Sequence, residues 1–175
     1  MNKAIKTKEN LSLALIELLQ SKPLDLITVK ELVEKAQVSR TAFYNHFQSL
    51  EDVLKYTYQK AHKKIFKDYY KHLEYVYSDQ HIKDMIHFFD ENSALLLALI
   101  KWNLIEFIAK YNTELVLKYT QNYHDDYIKN HAFYFICYYH SSLFNLCTCW
   151  INNGKKENPQ ALFFIIKQLQ NKKLI

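Results

Sequence analysis

The chain has 175 residues and a formal net charge of +5, and 49% of its residues are hydrophobic, a mix typical of soluble globular proteins. Its one glycine, Gly154, excludes the glycine-rich loops that bind nucleotide phosphates, and so few turn residues favour long helices over short strands. Residues 1–66 contain 11 Lys and Arg against 7 Asp and Glu, which points to a polyanionic partner for this part of the chain.

Two helices are predicted before residue 37. Apolar residues recur at helical spacing over residues 3–20, and Pro23 helps to end this first helix. Thr28 is a predicted N-cap for a second, short helix that ends near Ala36. Glu31, three residues after Thr28, completes the pattern of a capping box.

Ser39 is the predicted N-cap of a third helix, Arg40–Phe47. Phe43 and Phe47 lie four residues apart and share one face of this helix, which we expect to be buried. The opposite, outward face then presents Arg40, Thr41, Tyr44 and Asn45.

The remainder of the chain is also predicted to be helical. Ser49 caps a long fourth helix over residues 49–77, which connects two domains. Further helices are predicted over residues 80–90, 92–101, 103–124, 127–153 and 158–171. Gly154 fits a helix C-terminus and Pro159 the first turn of the last helix. Residues 132–151 lack Asp, Glu, Lys and Arg, but their polar residues favour a helix buried against protein over a membrane span.

Residues 28–47, TVKELVEKAQVSRTAFYNHF, therefore predict a helix-turn-helix, in which the second helix enters the major groove of DNA. Arg can bond guanine with two hydrogen bonds, Thr can meet a base edge, and Tyr and Asn can reach bases or phosphates. Thr28 lies at a helix N-terminus, where free amides attract phosphate. Further phosphate contacts are available to Lys6, Lys8, Lys30 and His46.

Residues 7–54 resemble the N-terminal domain of TetR-type (TetR/AcrR) transcriptional regulators. The resemblance rests on features in the family's order: the Thr-Val start, the Ala-x-Val-Ser turn, Tyr-x-His-Phe and the Ser-x-Glu-Asp entry to the fourth helix. The segment 149–154, CWINNG, with the Asn-Pro that follows, is similar to a C-terminal domain common in Firmicute members.

The resemblance implies an all-α fold: a three-helix DNA-binding domain over residues 1–48 and a helical dimerisation and ligand-binding domain over 49–175. It also implies a homodimer joined by its last two large helices, a palindromic operator, and a small ligand that lowers the affinity for DNA. Val29, Leu32, Phe43 and Phe47 take core roles. The residues predicted to bind DNA are Thr28, Lys30, Ser39, Arg40, Thr41, Tyr44, Asn45 and His46.

Two positions depart from the family's pattern. Gln37 stands in the turn where glycine is usual, at a cost of about 1 kcal/mol if the backbone there is left-handed. Leu50 stands near where members often have a phosphate-binding Lys, and Lys55 is a possible substitute. A weaker phosphate contact would lower overall affinity more than specificity.

Several aromatic residues suggest a ligand pocket, although packing in the core or a dimer interface explains them equally well. The candidate pocket residues are Trp102, Phe107, Phe133, Tyr138 and His140. Cys137, Cys147 and Cys149 are expected to be buried, unreactive thiols. Cys147 and Cys149 point to different sides of a helix and so do not share a metal easily. The odd number of cysteines and the absence of an export signal predict a cytoplasmic protein.

The function predicted from the sequence is that of a dimeric, DNA-binding transcriptional repressor released from its operator by a ligand. The alternative is a helical DNA-binding adaptor that works with a protein partner and has no ligand control. An enzymatic function is not predicted, because the sequence has no nucleophile and base at telling spacing, no metal-binding cluster and no cofactor loop. No cofactor and no membrane partner are expected.

Overall fold

The computed structural model describes residues 3–66, 75, 78–106, 108–112 and 126–171, and all regular elements within these ranges are helical. The bounds are α1 (Lys3–Leu19), a 3₁₀ turn (Leu24–Leu26), α2 (Val29–Lys35), α3 (Arg40–Tyr44), α4 (Leu50–Phe66), α5 (Asp79–Glu91), α6 (Ser93–Lys101), α7 (Asp126–Asn152) and α8 (Pro159–Asn171). The predicted all-α fold class is confirmed.

The chain forms two compact units, which differ in extent from the two predicted domains. Unit 1 contains residues 1–61 and 94–104, and unit 2 contains residues 62–93 and 105–175. The first part of α4 thus packs with the predicted DNA-binding helices, and so does most of α6. The division after residue 48 stays a prediction.

In unit 1, α1, α2 and α3 pack against one another around a core that includes Leu11, Leu15, Leu32 and Phe43, each fully buried. The end of α6 is tied to the end of α1 by polar contacts. The Trp102 indole N–H donates to the Leu19 carbonyl at 2.6 Å, and the Lys101 ammonium donates to the Gln20 carbonyl at 3.0 Å. These bonds satisfy carbonyls that the end of a helix leaves without an intrahelical partner.

In unit 2, α5 packs against both α7 and α8. The buried face of α5 includes Met85, Phe88 and Phe89, and the Phe89 ring meets Phe144 of α7 edge-on at 4.9 Å. Two ion pairs also hold α5: Lys155, in the connection between α7 and α8, pairs with Asp90 at 2.8 Å, and Lys167 of α8 pairs with Asp79 at 2.7 Å. The described part of α7 buries Leu143, Cys147, Trp150 and Ile151 and exposes residues on its other side.

Two predicted helices differ from the observed ones. The third helix ends at Tyr44 and not at Phe47, because His46 N–H donates to the Phe43 carbonyl, three residues back, and not to the Ala42 carbonyl, four residues back, as an α-helix requires. The helix predicted over 103–124 cannot include Asn103, whose φ is +55°. Residues 105–106 and 108–112 are helical, and residues 113–124 lie outside the described part of the chain. The predicted end of the fourth helix, residues 67–77, also lies outside the described part of the chain, except for residue 75.

Residues 132–151 belong to α7, and no helix in the described part of the chain is long and apolar enough to cross a membrane.

Candidate nucleic-acid interface

The N-terminus of α2 carries the predicted capping box. Glu31 N–H donates to the Thr28 hydroxyl at 3.2 Å, and Thr28 N–H donates to the Glu31 carboxylate at 2.9 Å. The Thr28 hydroxyl also donates its own hydrogen to this carboxylate at 2.9 Å. A phosphate oxygen is another acceptor, so the hydroxyl would have to leave Glu31 in order to donate to one.

Lys22 donates to the same Glu31 carboxylate. This hydrogen bond, with those from Thr28, lowers the pKa of Glu31 to about 2. Glu31 is therefore ionised at neutral pH and already supplies the negative charge that a helix N-terminus favours.

The turn between α2 and α3 is built around Gln37, whose φ is +54°. Gln37 N–H donates to the Glu34 carbonyl at 3.2 Å, and Val38 N–H donates to the Val33 carbonyl at 3.0 Å, which is the Schellman pattern of a helix C-terminus. The backbone at Gln37 is thus left-handed, the condition under which the sequence predicted a cost relative to glycine.

Asn10 supports this turn from α1. Its side-chain amide donates to the Ala36 carbonyl, the residue before Gln37, at 3.4 Å. This contact could not be predicted from the sequence, because the two residues are 26 positions apart and no local pattern joins them.

The third helix, α3, presents the side chains expected of a recognition helix. The Ser39 hydroxyl caps it by accepting Ala42 N–H at 3.0 Å. Phe43 is fully buried and fixes which side faces the core of unit 1. Arg40, Thr41, Tyr44 and Asn45 are all exposed, with Tyr44 60% exposed. The structure therefore brings these four predicted residues together within six consecutive positions, the five of α3 and its C-cap Asn45.

A series of ring contacts joins the end of α3 to α4. The Tyr44 ring meets the Phe43 ring edge-on at 5.1 Å, and Phe43 lies 6.2 Å from Phe47. The Phe47 ring in turn meets Tyr56 of α4 edge-on at 5.5 Å. Edge-to-face contacts of this kind hold aromatic rings in defined orientations. The exposed Tyr44 ring is therefore supported by a series of packed rings.

The charges of unit 1 fall into two groups. Lys35 and Lys60 form ion pairs with Glu17 and Glu9 of α1, at 2.6 and 2.5 Å. A second group is exposed and forms no ion pair with any residue that the structure describes: Lys6, Lys30, Arg40 and Lys55. These cations remain available to a polyanion. His46 is half-buried after the end of α3, and Leu50 is half-buried at the start of α4.

Of the predicted ligand-pocket residues, the structure describes the side chains of Trp102 and Tyr138. Trp102 belongs to unit 1, where its indole is bonded to Leu19, and Tyr138 is 69% exposed on α7. Phe107 and the side chains of Phe133 and His140 lie outside the described residues. Unit 2 instead has an open groove of about 420 Å³ between α5 and α8. It is lined by Lys83, Ile86, His87, Asp90, Pro159, Gln160, Phe163 and Phe164.

The expectation for the cysteines is correct for Cys147 and wrong for the other two. Cys147 is buried, and burial raises the pKa of its thiol to about 12. Cys137 and Cys149 are exposed, because α7 buries only one side in this chain. Burial of part of its side chain still raises the pKa of the Cys137 thiol. No metal-binding group of three or more His, Cys, Asp or Glu occurs among the residues that the structure describes.

These elements form a helix-turn-helix, the arrangement of a DNA-binding protein. It consists of a capped supporting helix, a tight turn, and an exposed polar helix that packed aromatic rings support. Residues 13–57 match the family described as bacterial regulatory proteins, tetR family, and residues 76–172 match the family described as transcriptional regulator C-terminal region. The chain belongs to the TetR family of transcriptional regulators. Regulators of this family bind DNA and are generally not enzymes.

The chain is also similar to the HTH-type dhaKLM operon transcriptional activator DhaS of Lactococcus lactis subsp. lactis (strain IL1403). The two are 29% identical over 68 residues, which is 39% of this chain and 36% of that protein. The match thus spans about a third of the relative's length.

Proposed function

We propose that this protein is a homodimeric regulator that binds a palindromic operator by inserting α3 of each subunit into the major groove. The observation that carries the proposal is the side-chain distribution of α3, with Phe43 fully buried and Arg40, Thr41, Tyr44 and Asn45 exposed. In dimers of this type the two half-sites lie about 34–36 Å apart or a multiple of that distance.

Within this proposal the predicted site residues have different tasks. Arg40, Thr41, Tyr44 and Asn45 contact bases or nearby phosphates, and Lys30 and His46 contact the backbone. The Ser39 hydroxyl accepts one hydrogen bond as a cap and can donate its hydrogen to a phosphate. Thr28 acts through its backbone and its cap, because its hydroxyl hydrogen is bonded to Glu31.

The exposed surface of unit 2 supports the homodimer. Large apolar or aromatic side chains that face solvent in one chain are Tyr134 and Tyr138 on α7 and Phe164, Ile165 and Leu169 on α8, each at least 40% exposed. A surface of this kind is typical of a protein interface. A symmetric dimer would cover the same residues on both subunits.

The regulator acts as a repressor when its operator overlaps a promoter, and a ligand relieves repression if it binds more tightly to the arrangement with low affinity for DNA. The groove between α5 and α8 offers a place for such a ligand. The similarity to a protein named as an activator favours the opposite direction of regulation as the second possibility. A reporter gene placed behind the operator distinguishes them, since deletion of the regulator raises expression in one case and lowers it in the other.

A DNA-binding adaptor without ligand control is the alternative function. It is favoured by the positions of Trp102 and Tyr138, because neither residue lines the groove of unit 2. On this alternative the protein binds DNA tightly, responds to no small molecule, and needs a protein partner to affect transcription.

The experiment that tests the proposal is selection of random duplex DNA against the full-length protein at about 150 mM salt. We expect an enriched inverted repeat. Enrichment of no sequence, with binding that is only salt-sensitive, would refute sequence-specific reading. The selected duplex then serves to screen small molecules for release: release supports ligand control, and tight binding with no release supports the adaptor.

A further inference from the structure

Lys8 of α1 lies against two aromatic rings of unit 1. It is half-buried, and its ammonium lies 5.4 Å from the centre of the Tyr56 ring and 5.9 Å from the centre of the Phe47 ring. A lysine ammonium within about 6 Å of an aromatic ring face is attracted by the ring's electron density. Lys8 forms no ion pair with the described residues, so the two rings are its observed electrostatic partners.

The three residues come from three parts of the helix-turn-helix unit. Lys8 lies on α1, Phe47 follows the tight turn that ends α3, and Tyr56 lies in the second turn of α4. The Phe47 ring is in the series that reaches Tyr44 through Phe43. Lys8 thus contacts the series of packed rings that supports the exposed end of α3.

The neighbouring charges do not favour another role for Lys8. Glu9, the next residue, pairs with Lys60 of α4, and Asp52 accepts the backbone N–H of Gln48. An ammonium that stays over two rings is also not extended toward a phosphate. Lys6, two positions earlier, is exposed and has neither ring contact nor ion pair among the described residues.

We propose that Lys8 is a positioning residue for operator binding, which holds the end of α3 in its DNA-reading orientation through cation–π contacts with Phe47 and Tyr56 and contacts no phosphate itself. This inference rests on the proposed function, in which α3 reads the operator. It corrects the expectation from sequence that Lys8 adds a phosphate contact.

The test compares variants of the full chain on the selected operator over a range of salt concentrations. Lys8→Met keeps the length of the side chain and removes its charge, and we expect it to weaken binding about fivefold. The slope of log K against log salt should stay that of the unmodified protein, because no phosphate contact is lost. A lysine that contacts phosphate would instead reduce this slope by about 0.9 for each copy in the complex, which would overturn the proposal.

A double-mutant cycle with Tyr56 identifies the ring as the partner of Lys8. Tyr56→Leu removes the ring, and the pair Lys8→Met and Tyr56→Leu should bind no more weakly than either single variant. Tyr56→Phe keeps the ring and should bind as the unmodified protein does. Losses that add in the double variant would overturn the proposal.

Two controls separate positioning from charge and from stability. Lys6→Met removes the same charge from the same helix, so a Lys8→Met variant that matches it in affinity and salt slope would overturn the proposal. Thermal unfolding followed by circular dichroism confirms that each variant is folded at the assay temperature, and a variant with a lower Tm but unchanged affinity would also overturn it. Failure of the unmodified protein to select any operator is a different result, which refutes the proposed function itself.

Discussion

Gln37 occupies a left-handed backbone position that glycine adopts more readily, because its Cβ crowds the backbone at a φ of +54°. The fold tolerates it in an exposed turn, where Asn10 bonds the preceding carbonyl. The same geometry recurs at Asn103 after α6, so two helices in the described part of the chain end with a side-chain-bearing residue in the left-handed region, whereas Gly154 holds this position after α7. Each is a position where a single substitution can change stability without touching the core.

We predict that Gln37→Gly raises the free energy of unfolding by about 1 kcal/mol, since glycine removes the strain at Cβ. Urea denaturation followed by circular dichroism measures the change. Gln37→Ala keeps Cβ and serves as the matched control, which should give no such increase. Equal effects of the two substitutions would show that the backbone conformation is not the cause.

Tyr44 is 60% exposed on the predicted DNA-reading side of α3. We predict that Tyr44→Ala weakens operator binding about tenfold at matched salt and leaves the oligomeric state unchanged, because a side chain proposed to meet bases or phosphates is lost and the buried face is unchanged. Fluorescence anisotropy measures the affinity and light scattering the mass. Leu26→Ala, at an equally exposed apolar residue outside the predicted DNA-binding set, is the control. Unchanged affinity of the Tyr44 variant would refute the assigned face.

Among the elements, those with local signals could be predicted from sequence. The caps of α2 and α3 depend on residues three positions apart, and the hydrogen bonds of Thr28, Glu31 and Ser39 confirm them. The exposed side of α3 could be predicted from the spacing of Phe43 and Phe47. The end of α3 could not be predicted, since Phe47 keeps the helical spacing after the helix has ended at Tyr44.

Features that depend on residues far apart in the chain could not be predicted from the sequence. Periodicity places Tyr138 and Trp102 on helix faces, but it does not say which neighbour covers each face. The contacts of Lys8 with Phe47 and Tyr56 span 39 and 48 positions in the sequence, and nothing local distinguishes Lys8 from Lys6. The groove between α5 and α8 likewise joins residues about 70 positions apart.

At the scale of the helices, α7 and α8 suggest two distinct responses to an added charge. Phe164 is 55% exposed on α8, and we predict that Phe164→Glu separates the subunits of the proposed dimer while each stays folded, because the charge would be buried only in that dimer. Sedimentation measures the mass. Gln170→Glu, at an exposed polar position of the same helix, is the control and should stay dimeric.

Leu143 of α7 is only 8% exposed within one chain. We therefore predict that Leu143→Glu lowers the free energy of unfolding by about 3 kcal/mol or more, whatever the oligomeric state, because an unpaired carboxylate enters the core of unit 2. Thermal unfolding at several protein concentrations tests this. A folded, stable monomer carrying this substitution would place Leu143 at the subunit interface instead.

For the whole molecule, the buried His62 makes stability depend on pH. Its side chain packs on Phe66 at 4.6 Å, and burial, followed by the charge of Lys63, lowers its pKa to about 3 from an ordinary 6.5. Between these values the unfolded state binds a proton that the folded state does not. The contribution of the neutral His62 to the free energy of unfolding is therefore complete above pH 6.5 and is lost as the pH falls toward 3.

We predict that this one group lowers the free energy of unfolding by about 2 kcal/mol between pH 6.5 and 4.5. Urea denaturation across this range measures the loss. His62→Phe keeps an aromatic ring in the same place without a titrating nitrogen, and its stability should fall less steeply over the range by that amount. Parallel curves for the two proteins would show that His62 is not the group responsible.

The two compact units are interleaved along the chain, since residues 94–104 return to unit 1 after residues 62–93 have entered unit 2. During synthesis on the ribosome, α1, α2 and α3 emerge well before α6, whose Leu95, Leu96 and Leu99 are buried, and before Trp102, which bonds Leu19. Part of the apolar surface of the nascent unit 1 therefore stays uncovered until about forty further residues have been translated. This takes several seconds at ordinary elongation rates.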